Sequence, residues 1–219
     1  MELVPVNNTF INSSFDQKRE SNISVKEVYL DGKLKKAECI NDDEKSFGIF
    51  MHSLILSNYV EVMKVNNSQV RVIGDEYEKA IFNYTASKGF DKMLIESIAP
   101  RVEGLNFECD NENKSKSKSE SINDIKVSAH IINEKIRIIS KGTPDNLLKR
   151  CSFILLDSKF VKMTRRIYRD INYVLRDMIK RCVNVYAIAI KDMAKIVESL
   201  NYDMYVDDMA LVALVGMGC

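Results

Sequence analysis

The segment Ser140-Lys141-Gly142-Thr143-Pro144-Asp145-Asn146 combines one cation, one residue without a side chain and a set of helix-start signals. It follows the apolar run 136–139 and leads into Leu147-Leu148-Lys149-Arg150-Cys151, so a β-branched strand should turn there into a helix. Thr143 suits the helix cap, Pro144 the first helical position, and Asp145 the positive helix end. Gly142 removes the side chain that would crowd a ligand at the corner. Lys141 can then serve a bound ligand as a cation, or a reaction as base or Schiff-base amine, although no second catalytic group stands beside it in sequence. Taken alone, the segment also reads as the well-capped corner of any α+β protein.

Other chemistries lack their residues. There is no GxxxxGK[ST], no strand-borne GxGxxG, no HExxH and no GxSxG. Imidazole chemistry has only His52, beside the apolar stripe of a predicted helix, and His130, within a predicted strand. Both read as structural or surface residues. Cys39, Cys109, Cys151, Cys182 and Cys219 are odd in number and show no CxxC spacing, which argues against a zinc site and a disulfide framework and for a reducing compartment.

The elements that must position Lys141 follow from periodicity. Residues 1–6 read as a strand and 7–22 as a loop; residues 25–30 and 33–39, joined by Asp31-Gly32, read as a hairpin. Asp42 and Asp43 can start a helix carrying Phe47, Phe50, Met51, Leu54 and Ile55 at helical spacing. A second helix should run from Asp75 to near Gly89, with Ala80, Ile81, Tyr84 and Thr85 inward. Strand signals return at 102–107, followed by a polar loop or ragged edge strand at 110–123. Residues 125–132 and 136–139 read as a hairpin around Asn133-Glu134, residues 165–181 as an amphipathic helix, and 183–190 and 211–215 as buried strands. The class is α+β: a twisted, mainly antiparallel sheet of about six or seven strands flanked by helices.

With 219 residues the chain can bury one sizeable core, and one domain over 1–219 is the expectation. The 32 Lys+Arg and 31 Asp+Glu nearly cancel, so no nucleic-acid footprint and no cationic membrane face is expected, and any anion site must be local. No run approaches a membrane span and no secretory leader opens the chain, which reads as soluble, without membrane contact and monomeric.

The corner resembles the Lys-Gly-Ala-Pro-Glu motif of the nucleotide-binding domain of P-type ATPases, with Thr143 and Asp145 as conservative departures, and continues into Arg150-Cys151-Ser152-Phe153-Ile154-Leu155-Leu156 much as the cation pumps do. Gly74-Asp75-Glu76-Tyr77-Glu78 resembles the family's Gly-Asp-Pro-Thr-Glu segment with the glutamate in register. Asp207-Asp208-Met209-Ala210-Leu211-Val212-Ala213-Leu214-Val215-Gly216-Met217 resembles the strand that returns to the phosphorylation domain. The likeness spans nearly the whole chain in the family's order. Without a Ser-Glu-His-Pro motif, it favours the type II branch of calcium or sodium-potassium pumps.

A nucleotide site needs a flat wall for the base, a partner for its exocyclic amine and cations for the phosphates. The resemblance implies Phe107 as the ring stacked on adenine, Glu78 near the adenine amino group, and Lys141 with Gly142 lining the base pocket. It implies Asp75 at the opening of the glutamate's helix, and Lys114, or Lys116 one repeat on, approaching the phosphates. Where the family places an arginine before Val-Leu-Ala, this chain has Asn184, an amide without charge, and Arg181 is the nearby candidate to compensate. The implied function is to bind ATP, with Mg2+ in the parent enzyme, and to present its γ-phosphate to the aspartate of a phosphorylation domain at the cytoplasmic face of a cation transporter. Neither the Asp-Lys-Thr-Gly-Thr nor the Asp-Pro-Pro-Arg motif is present, so the chain reads as an excised insert that binds without turnover. The competing reading is a degenerate module of the same fold that serves as an interaction or regulatory surface.

Overall fold

The computed structural model describes residues 23–66, 69–102, 125–194 and 202–219. Phe107 and Lys114, the strand expected at 1–6, the loops at 7–22 and 110–123 and nearly all of the strand at 102–107 lie outside them.

Asp31 and Gly32 take φ of 49° and 76°, the geometry of a two-residue hairpin turn, and join β1 (Ser24–Leu30) to β2 (Lys33–Lys36). The next helix, α1 (Phe47–Leu56), starts at Ser46 and not at Asp42 or Asp43. Ser46 is held there because its amide and hydroxyl both donate to the Asp31 carboxylate, which ties the helix entry to the first turn. A small hairpin of β3 (Glu61–Asn66) and β4 (Gln69–Ile73) follows.

Helix α2 (Glu76–Ser87) opens under the Asp75 side chain, which accepts from the Glu78 amide, and ends before Gly89 at φ 85°. Its inward Ala80, Ile81, Tyr84 and Thr85 are buried as their spacing predicts, and so is Glu78. The short α3 (Lys92–Ile98) completes this layer.

A second two-residue turn at Asn133-Glu134 joins β5 (Lys126–Ile132) to β6 (Lys135–Gly142). Strand β6 runs through Lys141 and Gly142, so both belong to the sheet, and the corner itself is Thr143. That residue precedes α4 (Pro144–Leu147) without a side-chain cap bond, and a 3-10 turn at Leu148–Arg150 follows. Then come β7 (Cys151–Leu156), β8 (Lys159–Lys162), α5 (Arg165–Arg181), β9 (Asn184–Met193), α6 (Tyr202–Val206) and β10 (Met209–Gly218).

Among the described residues the main sheet has eight strands, ordered β2-β1-β10-β9-β6-β5, with β7 paired to β10 and β8 to β7. It is larger than expected because the β7–β8 hairpin joins it beside the start of β10, in a parallel pairing. Every residue of β10 is buried, which explains its unbroken apolar run. Helices α1, α2 and α3 cover one face through Phe50, Leu54, Ile81 and Ile95; α4, α5 and α6 cover the other through Leu147, Ile171, Leu175 and Tyr205.

Candidate functional site

Strand alternation puts Lys126, Ser128 and His130 of β5 on the face covered by α1, α2 and α3. The register sets Lys126 directly opposite Lys141, and Lys141 opposite Ile188 of β9. Tyr186 and Asn184 continue the same face along β9. Two lysines and two polar residues thus share one corner of this face.

Glu78 reaches this corner from the first turn of α2. The Lys141 ammonium donates to both of its carboxylate oxygens, at 2.6 and 2.7 Å, and the Tyr59 amide donates to Oε2 at 3.2 Å. The ion pair is almost fully enclosed, with Glu78 3% and Lys141 2% exposed. Lys126, 3.6 Å from Glu78 Oε1 and about half exposed, is the cation on the rim. Burial pulls the Lys141 pKa down to about 8, against the opposing attraction of Glu78.

Aromatic rings border the pair. The Tyr59 ring lies under three cations, Arg101 at 4.9 Å, Lys126 at 5.1 Å and Lys141 at 5.6 Å, and its hydroxyl donates to the Val127 carbonyl. Tyr186 has Lys141 over its ring at 6.0 Å and meets Tyr77 edge to face. Burial, with the charges of Asp75 and Glu78, pushes the Tyr186 hydroxyl up to about 12, while the Asn184 side chain hydrogen-bonds to it and acts in the other direction.

Among the described residues that the sequence singled out, Glu78, Lys141, Gly142, Asp75 and Asn184 occupy one neighbourhood. Asp75 is exposed at the mouth of α2 and caps it, and Gly142 is buried beside Lys141, opposite Ala187. Asn184 joins the group through Tyr186. Arg181 does not: it sits on α5, on the opposite face of the sheet, and is engaged by Glu27 and Asp177. It offers Asn184 no compensation.

Sequence reasoning missed Tyr59, Arg101, Lys126 and Tyr186. Lys126 carried a readable signal, because a two-residue turn at Asn133-Glu134 fixes the register and counting back from it sets Lys126 opposite Lys141. Tyr59 carried none, since its neighbours come from segments far apart in the chain.

The remaining titratable candidates behave as structural groups. His130 is 1% exposed, with its ring nitrogens 3.1 Å from the carbonyls of Ala99 and Leu56. His52 packs edge-on against Phe90. Among the described residues no cluster of His, Cys, Asp and Glu could hold a metal ion, and no helix is long and apolar enough to cross a membrane. The Lys141 ammonium is held by both Glu78 oxygens and, among the described residues, no second catalytic group stands beside it, which argues against the Schiff-base reading.

Fold and site together define an α+β domain with a buried carboxylate-ammonium pair, bordered by tyrosines and a rim lysine, on one face of its sheet. A family model described as P-type ATPase, cytoplasmic domain N, matches residues 47–218, and the chain belongs to that family. It is also 23% identical over 198 residues to calcium-transporting ATPase 1 of Bacillus cereus. That match covers 90% of this chain and 20% of the relative, so the chain spans about a fifth of the pump's length.

Proposed function

We propose that residues 1–219 form a single nucleotide-binding domain of a type II P-type ATPase, holding ATP by its adenine at the Glu78–Lys141 corner. The observation that carries this reading is the convergence of Glu78 and Lys141 from distant segments into one enclosed pair with a lysine at its edge. A carboxylate has about four acceptor sites, and Glu78 uses three of them in hydrogen bonds, leaving one on Oε1, the oxygen that faces the half-exposed Lys126. The exocyclic amine of adenine supplies that donor. Guanine has a carbonyl oxygen at the same position, which the carboxylate repels, so the site discriminates ATP from GTP.

Phe107 stacks on the purine, which contributes about 1–3 kcal/mol by analogy with base-aromatic contacts in single-strand binders. Lys126, half exposed beside the base pocket, is a phosphate-facing cation together with Lys114. Gly142 adjoins Lys141 on β6 at the base pocket, Asp75 fixes the start of α2 and thus Glu78, and Asn184 offers an uncharged amide. With one charge-assisted contact fewer, binding is weak, with Kd of roughly 0.1 to several mM.

In the parent enzyme the domain contributes positioning. It holds the base while the γ-phosphate, with its Mg2+, reaches an aspartate on the phosphorylation domain, and membrane helices of the same transporter move the cation. The chain alone binds nucleotide and does not turn it over. Calorimetric titration with ATP and GTP tests this: saturable ATP binding with GTP at least about tenfold weaker is expected. Equal affinities would remove Glu78 from the base site. Lys126→Ala should weaken ATP more than AMP and do so chiefly at low salt, since an exposed charge is screened within about 10 Å at 0.1 M. A salt-independent loss would contradict the phosphate role.

The second reading, a degenerate module with weak or no nucleotide binding that serves as an interaction or regulatory surface, is favoured by the fact that Glu78 and Lys141 already satisfy each other. It expects no adenine preference in the titration.

A further inference from the structure

Helix α5 carries six of the chain's cations, Arg165, Arg166, Arg169, Arg176, Lys180 and Arg181, against two carboxylates, Asp170 and Asp177, although the whole chain is only +1. Its inner face, Ile171, Leu175 and Met178, is committed to the core. The carboxylates lie along one flank, where Arg166 approaches Asp170 and Arg181 binds Asp177. Arg165, Arg169, Arg176 and Lys180 form a row along the outward face, all exposed and without a carboxylate partner among the described residues. Tyr173, 78% exposed, fills the gap in the middle of the row.

Cations in the last turn, Lys180 and Arg181, suit the helix dipole, but the rest of the arrangement works against the helix that bears it. Arg165 and Lys180 belong to two like-charged pairs at four-residue spacing, Arg165/Arg169 and Arg176/Lys180, and both pairs are repulsive. Arg165 and Arg166 occupy the first two helical positions, where the helix dipole disfavours positive charge, and the first turn holds no acidic residue. A face that only needed to be wetted would gain stability from mixed charges. We propose that the outward face of α5 is a docking surface for an acidic, helix-forming segment of a partner polypeptide.

Charge and spacing select that occupant. The row is one side chain wide and bordered by Asp170 and Asp177, so it fits a linear anion better than a plane of lipid headgroups. Its cations sit about 6, 10 and 6 Å apart along the axis, an uneven pattern that carboxylates at i, i+4, i+11 and i+15 of a facing helix reproduce. A nucleic acid, with evenly spaced phosphates, does not. Tyr173 then packs on an apolar residue between the two carboxylate pairs.

The surface lies on the sheet face opposite Glu78 and Lys141, so its failure would leave the nucleotide reading untouched. The probe is a fluorescein-labelled peptide of about 18 residues, long enough for about 27 Å of helix, with glutamates at those four positions on an alanine-glutamine background. With the full chain, saturable anisotropy that weakens at high salt, and amide shifts confined to α5, are expected. Arg169→Gln with Arg176→Gln should weaken binding about tenfold while the melting temperature stays equal or rises. Equal binding of the peptide with glutamine at those positions, an unchanged affinity of the double variant, or tighter binding of anionic vesicles or single-stranded DNA would each overturn the proposal.

Discussion

Replacing Lys141 with methionine should destabilise the protein by about 3–5 kcal/mol, because it leaves the Glu78 carboxylate buried without its ammonium. Lys126 at 3.6 Å recovers part of that charge, which sets the expectation toward the lower end of the range. Restoring an apolar pair with Glu78→Leu and Lys141→Met together should return most of the lost stability, since well-packed hydrophobic residues often replace a buried ion pair at little cost. Urea unfolding reads both: the single variant shifts the midpoint at unchanged slope, and the double variant shifts it back. The double variant should nevertheless bind no adenine nucleotide, which separates the pair's part in stability from its part in recognition. A single-variant loss below about 1 kcal/mol, the value of an exposed pair, would mean that Glu78 and Lys141 are solvated and not enclosed.

The second large effect is acid instability centred on His130. Burial is the chief cause that lowers its pKa to about 4, and Arg101 adds to it; hydrogen bonds to the Ala99 and Leu56 carbonyls and the charge of Glu96 oppose it. The unfolded chain binds the proton near pH 6.5 and the folded one only near 4, so between these values the unfolded state holds more protons and stability rises with pH. The contribution is complete above about 6.5, falls as the pH drops, and amounts to about 3 kcal/mol over the window. His130→Leu should flatten the stability-pH curve between pH 6.5 and 4 relative to the native chain, as followed by denaturant midpoints at each pH. Parallel curves for the two proteins would show that the imidazole is not excluded from water.

Most of the scaffold could be read because local signals and tertiary placement agree. The Asp31-Gly32 and Asn133-Glu134 turns stand between alternating runs, and α5 has an apolar stripe whose ends match residues 165–181. Elements without such agreement went unseen. Helix α3 spans seven residues and leaves Met93, Leu94 and Ile98 exposed, so it shows no stripe. Strand β8 is exposed at all four positions, and its turn at Asp157-Ser158 takes positive φ without a glycine. The site divides in the same way. Glu78, Lys141 and Asn184 sit in recognisable local motifs, whereas Tyr59, Arg101 and Tyr186 join them only through the fold.

The most direct measurement of the central claim is an amide-shift titration of the chain with ATP, AMP and GTP. Adenine-dependent shifts are expected at Glu78, Lys141, Gly142, Tyr59 and Phe107, with ATP adding shifts at Lys126, saturating with Kd of roughly 0.1 to several mM. No shift at about 10 mM nucleotide, or shifts confined to the α5 face, would contradict that claim.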